Sequence, residues 1–492
     1  MTRRRITLSG NEGAAMTSLF WHDYETFGGD PRRDRPCQFA GVRTDLDLNL
    51  IGDPLRLFCQ PAPDFLPDPT SCRITGIGPR RALREGVSEA QFCERILGEF
   101  REAGTCALGY NSLRFDDEVS RHLFYRCLHD PYEREWKNGN SRWDLIDLVR
   151  MTQALRPEGL VWPVREDGLP SFRLELLSAA NGIAHESAHD AMSDVYATIA
   201  LARLIKQKQP RLYDFYFTLR DKHRVLALLD LAQHTPLVHI SQRFPAERGC
   251  IGIVLPLCKH PVNNNGIIVV DLLRDPSAWL QLDAAAIVER LYTRSEDLAP
   301  EDERIGLKTV HINRSPALAP LSVLSTAVQA RYRFDLALVE QRRQQILAQP
   351  LLLATLREVF SSEAPPSASD PDLLLYSGGF FSDADRRVMQ QVHSLPPAKL
   401  RELQRRFQDP RLPELLFRYR ARNHPSTLDA AEQQRWREHC ARRLRGELPG
   451  AGLPQSEFRA RLAAETALPP ALAQELAEYA DEVAMQAGLL SS

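Results

Sequence analysis

Residues 18–28, with the sequence SLFWHDYETFG, constrain the fold of this chain more than any other segment. Side chains alternate along a β-strand, so Leu19 and Trp21 share one face, and Asp23 and Glu25 continue the same row. Carboxylates at the end of a core-facing row need a cation or an opening to solvent. The segment therefore predicts a core strand that ends at a polar site. Taken alone, two such acids more often mark a solvated strand end, and the rest of the chain decides between these interpretations.

Length and composition predict a soluble protein of several domains. The 492 residues are enough for two to four domains, and 43% apolar with 26% charged residues is ordinary for globular proteins. We find no run of about 18 or more apolar residues, which predicts that no membrane is spanned. Residues 1–16 are polar, glycine-rich and basic without an apolar core, so we expect a disordered extension and not a secretory signal. Met16 is an alternative start.

Cysteine spacing and net charge limit the classes of protein to which the chain can belong. The nine cysteines contain no CxxC pair and no cluster with zinc spacing, so we expect reduced thiols in a cytoplasmic protein. The net charge of −2 gives no global sign of nucleic-acid binding. Any interaction with a nucleic acid must therefore depend on local basic surface.

Residues 17–206 are predicted to form one α/β domain. After the first strand, strands at 37–44 and 55–59 are joined by short turns, which predicts an antiparallel meander. Ser88 and Gln91 have capping-box spacing at the start of a helix. The remaining predicted elements are a strand at 106–110, a helix from about 111 to 129, a strand-to-helix transition at 142–148, a short helix at 171–182 that starts with serine, and a strong helix at 185–205.

Two further domains are predicted downstream. Residues 210–360 contain short strands with turn residues between them, at 236–241, 250–255, 266–271 and 308–313, which indicates a small β-barrel. Residues 361–372 have the composition of a linker. Residues 373–492 are predicted to be helical.

Four acids and one histidine occur in an order that is typical of one enzyme class. They are Asp23, Glu25, Asp116, His189 and Asp194. This order resembles that of the DEDDh exonucleases, which have an RNase H-like fold. The surrounding segments 22–28, 111–119, 169–175, 189–198, 378–386 and 419–423 resemble the bacterial exodeoxyribonuclease I family, and the resemblance covers nearly the whole chain after Met16. It implies an RNase H-like exonuclease domain, an SH3-like β-rich domain and a helical C-terminal domain.

The resemblance implies a magnesium-dependent nuclease that removes nucleotides from the 3′ end of single-stranded DNA, processively, in repair and recombination. Asp23, Glu25 and Asp194 would hold the first of two Mg²⁺ ions, with Mn²⁺ as a substitute. Asp23 would bridge to the second ion, Asp116 would support it, and His189 would deprotonate the attacking water. Hard cations prefer carboxylate and water oxygens, and an imidazole that titrates near neutrality suits a general base.

At two places in the sequence, the residue next to an assigned site residue is also an aspartate and could take its role. Asp117 follows Asp116, and Asp190 follows His189. Asp144 and Asp147 also compete for a place in the site. We prefer Asp116 because the family motif has its ligand at the first aspartate after the phenylalanine. Without its context, His189 is also typical of a helix-capping or core histidine.

Binding of single-stranded DNA calls for cations along the backbone and aromatic rings under the bases. By the resemblance, the expected contacts are Arg121, Tyr132, Trp136, Arg150, Arg173, Lys222, Asn265 and Lys308, with Glu25 also touching the terminal nucleotide. Arg173 would lie near the scissile phosphate. Trp143 is another candidate aromatic, although most such rings belong to cores. The second domain would close over the strand and exclude duplex DNA.

The resemblance also implies one protein partner. Members of the family bind the acidic C-terminal tail of single-stranded DNA-binding protein, and arginines 331, 333, 342 and 343 are candidates for that surface. We expect a monomer. The alternatives are a DEDDh exonuclease that acts on RNA, and a non-catalytic adaptor that only binds single-stranded DNA. The complete set of five residues argues against the adaptor.

Overall fold

The computed structural model describes residues 18–185, 189–294, 296–299, 304–361, 370–448, 450 and 452–490. The predicted disordered extension at 1–16 and most of the predicted linker at 361–372 lie outside these ranges. Within them, no helix has both the length and the apolar character that crossing a bilayer requires.

The first sheet has five strands in the order β3-β2-β1-β4-β5. Their bounds are β1 Ser18–Thr26, β2 Pro36–Thr44, β3 Leu50–Phe58, β4 Thr105–Gly109 and β5 Ser141–Asp144. The first three strands are antiparallel, as the predicted meander requires, and β4 and β5 run parallel to β1. The central position of β1 buries it on both faces, so its side chains are held firmly.

Helices cover both faces of this sheet. They are α1 Pro69–Thr75, α2 Pro79–Glu85, α3 Glu89–Arg101, α4 Asp116–Arg126, α5 Leu145–Leu155, α6 Leu174–Ala180, α7 Ala191–Lys208, α8 Pro210–Thr218 and α9 Lys222–Leu228. Leu19 and Trp21 are fully buried in one core with residues of α5 and α7. Phe20 and Tyr24 project into the opposite core with residues of α3 and α4. The alternation predicted for β1 is confirmed.

Several predicted helix bounds are wrong. The helix predicted from residue 185 begins at Ala191, because the Asp190 side chain accepts a hydrogen bond from the Met192 amide and caps the helix there. The helix predicted to start at Ser171 begins at Leu174. The helix predicted from about residue 111 to 129 begins at Asp116 and ends at Arg126, since Asn111 and Leu128 have φ angles of 65° and 60°, outside the helical range.

A second, antiparallel sheet has the order β10-β6-β7-β8-β9. Its strands are β6 Leu237–Ile240, β7 Ile251–Lys259, β8 Gly266–Asp271, β9 Leu307–His311 and β10 Ala317–Pro320. Helix α10 Ala284–Tyr292 lies between β8 and β9 in sequence. The four predicted strands of this region are present, and β10 is an additional strand.

The described chain after residue 373 is helical, as predicted, whereas the three helices before it are additional ones in the region that was predicted to be β-rich. The additional helices are α11 Thr326–Tyr332, α12 Leu336–Leu347 and α13 Leu352–Ser361, and those after residue 373 are α14 Asp383–Ser394, α15 Arg411–Asn423, α16 Ala430–Leu444, α17 Gln455–Ala464 and α18 Pro470–Gln486. Residues of α14 and α15 share one core with residues of α3 and α4. The C-terminal helices are therefore packed against the first sheet and its helices.

Candidate active site

Three acids from two distant segments meet at the end of β1. Asp23 and Glu25 are on β1, and Asp194 is in the first turn of α7. One carboxylate oxygen from each lies within 4.8 Å of the others. Helix α7 packs directly on β1 and β2, so the contact follows from how the helix covers the sheet.

Asp116 completes the group from the start of α4. Its Oδ1 accepts a hydrogen bond from the Tyr24 amide at 3.0 Å, which ties it to β1 between Asp23 and Glu25. Among the neighbouring charges, Asp116 makes the largest contribution to raising the pKa of Asp23. The structure thus brings the four acids named from the sequence to one place.

Burial and mutual repulsion act on these acids together. Burial, followed by the charges of Asp116 and Glu25, raises the pKa of Asp23 well above its usual range. Burial and the charge of Asp194 raise the pKa of Glu25 to about 9. Burial also raises the pKa of Asp194. Such a group of hard oxygen donors is unfavourable when fully ionised and fits a divalent cation, which would compensate the charges.

The competing carboxylates are engaged elsewhere. Asp117 binds Arg134 and Arg142, each at 2.5 Å. Asp144 caps α5 and accepts from the backbone of the loop before α4. Asp147 pairs with an arginine on either side, and Asp190 caps α7. The geometry therefore favours Asp116 and Asp194 over their neighbours as members of the site.

Two histidines flank Asp194. His189 lies just before α7 with a φ of 65°, and its charge is among those that lower the pKa of Asp194. His185 is closer, because its Nε2 lies 2.5 Å from Asp194 Oδ1. No motif in the sequence marks His185 as a site residue. Its only signal was its place nine residues before Asp194, in a segment that was predicted to be helical.

Two of the predicted DNA contacts on the first domain are partly or fully exposed, and one is buried. Trp136 is 68% exposed, and Tyr132 is half-buried with its ring edge against the exposed Phe380. Arg121 is buried, and its guanidinium binds Glu135 and Glu118. The guanidinium carbon of Arg121 lies 5.6 Å from the centroid of the Tyr132 ring, so the guanidinium packs against the face of that ring.

Of the candidate contacts on β5, on α5 and beside α6, one is exposed and two are buried. Arg173 is exposed and pairs with Glu175. Arg150 is buried and binds Asp147 at 2.8 Å and Gln242 at 3.2 Å. Trp143 is fully buried with Tyr213 and cannot stack on a base without unfolding of the core. The core interpretation of Trp143 is the correct one.

A cavity of about 620 Å³ opens between the two sheets. Leu113 and Arg114, just before Asp116, line one side, and Lys308 and Arg243 line the other. Lys308 Nζ donates to His239 Nε2 at 2.9 Å, because His239 Nδ1 faces the Ala317 carbonyl and must itself donate. Burial lowers the pKa of Lys308 to about 7.

The two remaining predicted contacts lie outside the lining of this cavity. Lys222 is exposed at the first turn of α9. Asn265 is half-buried in the turn before β8, where its carbonyl accepts from the Ile312 amide.

Comparison with known proteins assigns the whole chain. Residues 20–202 match the family model described as exonuclease, residues 220–362 the exonuclease I SH3-like domain, and residues 369–483 the exonuclease I C-terminal domain. Exodeoxyribonuclease I of Escherichia coli is 46% identical over 96% of this chain and 99% of its own length. The chain belongs to the exodeoxyribonuclease I family. The corresponding protein of Haemophilus influenzae is 45% identical over 87% of this chain and 90% of its own length.

Solved structures of exonuclease I agree with this assignment in three dimensions. Exonuclease I of Methylocaldum szegediense, a moderately thermophilic form, is 48% identical with a TM-score of 0.90, covering 95% of this chain and 99% of its own. The E. coli enzyme in complex with a dA16 oligonucleotide is 45% identical with a TM-score of 0.90, covering 95% and 100%. A zinc-bound form of the E. coli complex with single-stranded DNA is also known. The exodeoxyribonuclease I architecture predicted above is confirmed, and the chain is an exonuclease.

Proposed function

We propose that this exonuclease degrades single-stranded DNA from its 3′ end and releases 5′-mononucleotides. The observation that carries the proposal is the convergence of Asp23, Glu25 and Asp194 within 4.8 Å, with Asp116 beside them. A cavity lined by several arginines and Lys308 includes Arg114, two residues before Asp116. Complexes of the E. coli relative with oligonucleotides support the choice of substrate.

In this mechanism the acids would bind divalent cations, and His189 moves a proton. Asp23, Glu25 and Asp194 would bind the first divalent cation, and Asp23 with Asp116 the second, with Mg²⁺ as the natural ion and Mn²⁺ as a substitute. Bound there, such ions stabilise the negative charge that develops on the attacking and leaving oxygens. A ring nitrogen of His189 accepts a proton from the attacking water. The bond from phosphorus to the 3′ oxygen of the shortened strand breaks, and the released nucleotide keeps its 5′ phosphate.

The strand is expected to reach the site across exposed rings and cations. Tyr132 and Trp136 offer stacking surfaces. Arg173 is the exposed N-cap of α6 and pairs with Glu175, whose charge acts on Asp194, so Arg173 would meet the scissile phosphate. Glu25 would contact the terminal nucleotide as well as a cation. Further cationic or polar contacts would come from Arg121, Arg150, Lys222, Asn265 and Lys308. Enclosure between the two sheets would favour processive action and admit one strand only.

The setting of the enzyme is part of the same proposal. We expect a cytoplasmic monomer that acts in DNA repair and recombination, and the nine free cysteines agree with a reducing compartment. The acidic tail of single-stranded DNA-binding protein is the expected partner. Arg342 and Arg343, on α12, are half-buried. Arg342 donates through Nη1 to the Leu272 carbonyl. All three nitrogens of the Arg343 guanidinium have partners within the chain, two carbonyls and the carboxylate of Glu340, so Arg342 is the better candidate of the two.

A degradation assay on matched substrates tests the proposal. The full chain with Mg²⁺ is expected to degrade single-stranded DNA from the 3′ end and to leave duplex DNA and single-stranded RNA of the same sequence nearly intact. Equal loss of RNA and DNA would refute DNA specificity. Absence of hydrolysis, with binding intact, would instead identify a non-catalytic adaptor.

Substitution of Asp23 separates catalysis from binding. Asp23→Asn should lower kcat by about three orders of magnitude or more, because a bridging carboxylate is lost. Affinity for a single-stranded oligonucleotide, measured by fluorescence anisotropy, should change little. The matched control is Asp167→Asn, an exposed acid in the loop before α6, which should retain activity. Parallel loss of binding and cleavage in Asp23→Asn would contradict the assigned role.

A further inference from the structure

A second group of metal-binding side chains lies far in sequence from the acids of the active site. Glu94 is on α3, His129 follows the end of α4, and His393 is on α14. One ligand atom from each lies within 4.8 Å of the others. We propose that Glu94, His129 and His393 form a binding site for a zinc-like transition-metal ion, which would link the exonuclease domain to the C-terminal domain.

The donor types select the class of ion. Two imidazoles and one carboxylate are the ligands that Zn²⁺ and related ions prefer, whereas Mg²⁺ favours sites made only of oxygen. Glu94 Oε2 lies 3.2 Å from His129 Nε2, which is close to the spacing of two ligands on one tetrahedral ion. The site would be distinct from the oxygen-only group around Asp23.

The surroundings leave space for the ion and for water. The three side chains line a cavity of about 200 Å³ that Met389 and Gln390 of α14 also border. Arg386, on the same wall, is already paired with Asp130 at 3.0 Å. A water molecule in the cavity can occupy a fourth coordination position.

The hydrogen bonds of the His129 ring show how this residue must change when it binds a metal ion. Arg101 Nη2 lies 3.4 Å from His129 Nδ1 and can only donate, so in the ion-free state the ring proton is on Nε2 and faces Glu94. An ion at Nε2 takes the place of that proton, which moves to Nδ1. Arg101 then gives up its bond to the ring, and its side chain, 45% exposed, has room to turn away.

The His393 ring must also move. His393 Nε2 faces the Leu128 carbonyl at 3.2 Å and therefore carries the proton, which leaves the Nδ1 lone pair for an ion. The two imidazoles are stacked, with centroids 3.7 Å apart and planes within 9° of parallel. An ion lies in the plane of each ring that it binds, so binding tilts the exposed His393 ring out of the stack.

Calorimetric titration of the full chain with Zn²⁺ is the test. The acid site is first disabled by Asp23→Asn and Asp194→Asn, and Mg²⁺ is kept in excess, so that only the second group competes for zinc. We expect one ion per chain, and at least about tenfold weaker binding in both His129→Ala and His393→Leu. His223→Ala, on the exposed start of α9, is the matched control and should bind as before.

Two further measurements test the proposal, because one variant should strengthen metal binding and the other should abolish it. Arg101→Gln should tighten zinc binding, because it removes a positive charge and offers an acceptor to the Nδ1 proton. Co²⁺ should give visible absorption bands of a nitrogen and oxygen site that His393→Leu abolishes. His393 is exposed, so this variant should fold, and circular dichroism checks it. Absence of stoichiometric binding, or unchanged binding in His393→Leu, would overturn the proposal.

Discussion

His189 has a left-handed backbone conformation and directly precedes the residue that caps α7. It adopts a φ of 65° immediately before Asp190, and its charge helps to lower the pKa of Asp194 in the first turn of that helix. A left-handed residue at a helix entry carries a conformational cost that packing must offset. Such a cost is common where a side chain is placed for chemistry.

Removal of the His189 imidazole tests its role as base. His189→Ala is expected to lower kcat by about 10²–10⁴-fold with little change in oligonucleotide affinity. The measurement is single-turnover hydrolysis of a 3′-labelled strand at saturating Mg²⁺. His223→Ala serves as the control for loss of an exposed imidazole. Undiminished hydrolysis in His189→Ala would exclude this residue as the base.

Glu25 shows the cost of assembling acids before a cation is bound. Its pKa is raised to about 9, so the folded chain binds more protons than the unfolded chain between the ordinary glutamate pKa and that value. Stability contributed by the protonated form is therefore lost as pH rises through this window. A neutral residue of the same shape avoids the loss.

Glu25→Gln should accordingly stabilise the metal-free protein. At pH 8 with chelator we expect a higher Tm than in the unsubstituted chain. The free energy of unfolding should be larger by about 1 kcal/mol or more. The advantage should shrink at pH 5 and reverse when Mg²⁺ is added. Calorimetric scans measure it, with Glu166→Gln as the exposed control. A lower Tm of Glu25→Gln in chelator at pH 8 would contradict the repulsion.

At the scale of elements, β9 and β6 together hold a lysine in an unusual state. Lys308 on β9 donates to His239 on β6 and lies 4.7 Å from the Phe244 ring centre. Burial lowers its pKa to about 7, so near neutrality a substantial fraction is uncharged. A phosphate in the cavity would favour the charged form, which means that binding above pH 7 takes up a proton.

Affinity for single-stranded DNA should therefore fall with pH above about 7. If Lys308 contacts the strand, Kd should rise by up to about tenfold per pH unit there, and should be nearly flat below pH 7. Anisotropy titrations between pH 6 and 9, at constant ionic strength, measure the slope. Lys308→Gln should remove it, whereas Lys222→Gln should weaken binding and keep it. An unchanged slope in Lys308→Gln would mean that another group is responsible.

At the scale of the whole molecule, buried ion pairs join the C-terminal helices to the exonuclease domain. Asp64, with a fully buried side chain, binds Arg422 of α15 at 2.7 Å, and Arg422 also binds Asp372 at 2.6 Å. Burial alone would raise the pKa of Asp64, but Arg422 and Arg443 hold it well below its usual range. The interface thus depends on each charge keeping its partners.

Removal of Asp64 should weaken that interface strongly. Asp64→Asn is expected to destabilise the protein by about 3–5 kcal/mol, because Arg422 and Arg443 lose a buried counter-charge. Urea unfolding monitored by tryptophan fluorescence measures the change. Asp481→Asn removes an exposed partner of Arg459 and should cost about 1 kcal/mol or less. Similar effects of the two substitutions would show that burial of the pair is unimportant.

Much of the site was predictable because local rules governed its parts. The alternation of β1 aligns Leu19 and Trp21 with Asp23 and Glu25, and the order of acids along the chain is a property of the sequence itself. The alternation of strand residues predicted the sheet regions, and composition predicted the helical region after residue 373, but not the helices α11 to α13 that precede it. The strand-pairing pattern of β1, β2 and β3 follows from short turns, which leave few other arrangements.

Only the tertiary structure decided which side chains touch across long separations. The sequence did not predict that His185 would contact Asp194 or that Arg121 would bind two glutamates, and it left open whether Trp143 is buried. It also gave no sign that His129 and His393 would stack across a domain interface. Periodicity predicts which face of an element is buried, but packing between elements determines the partner that each side chain meets there.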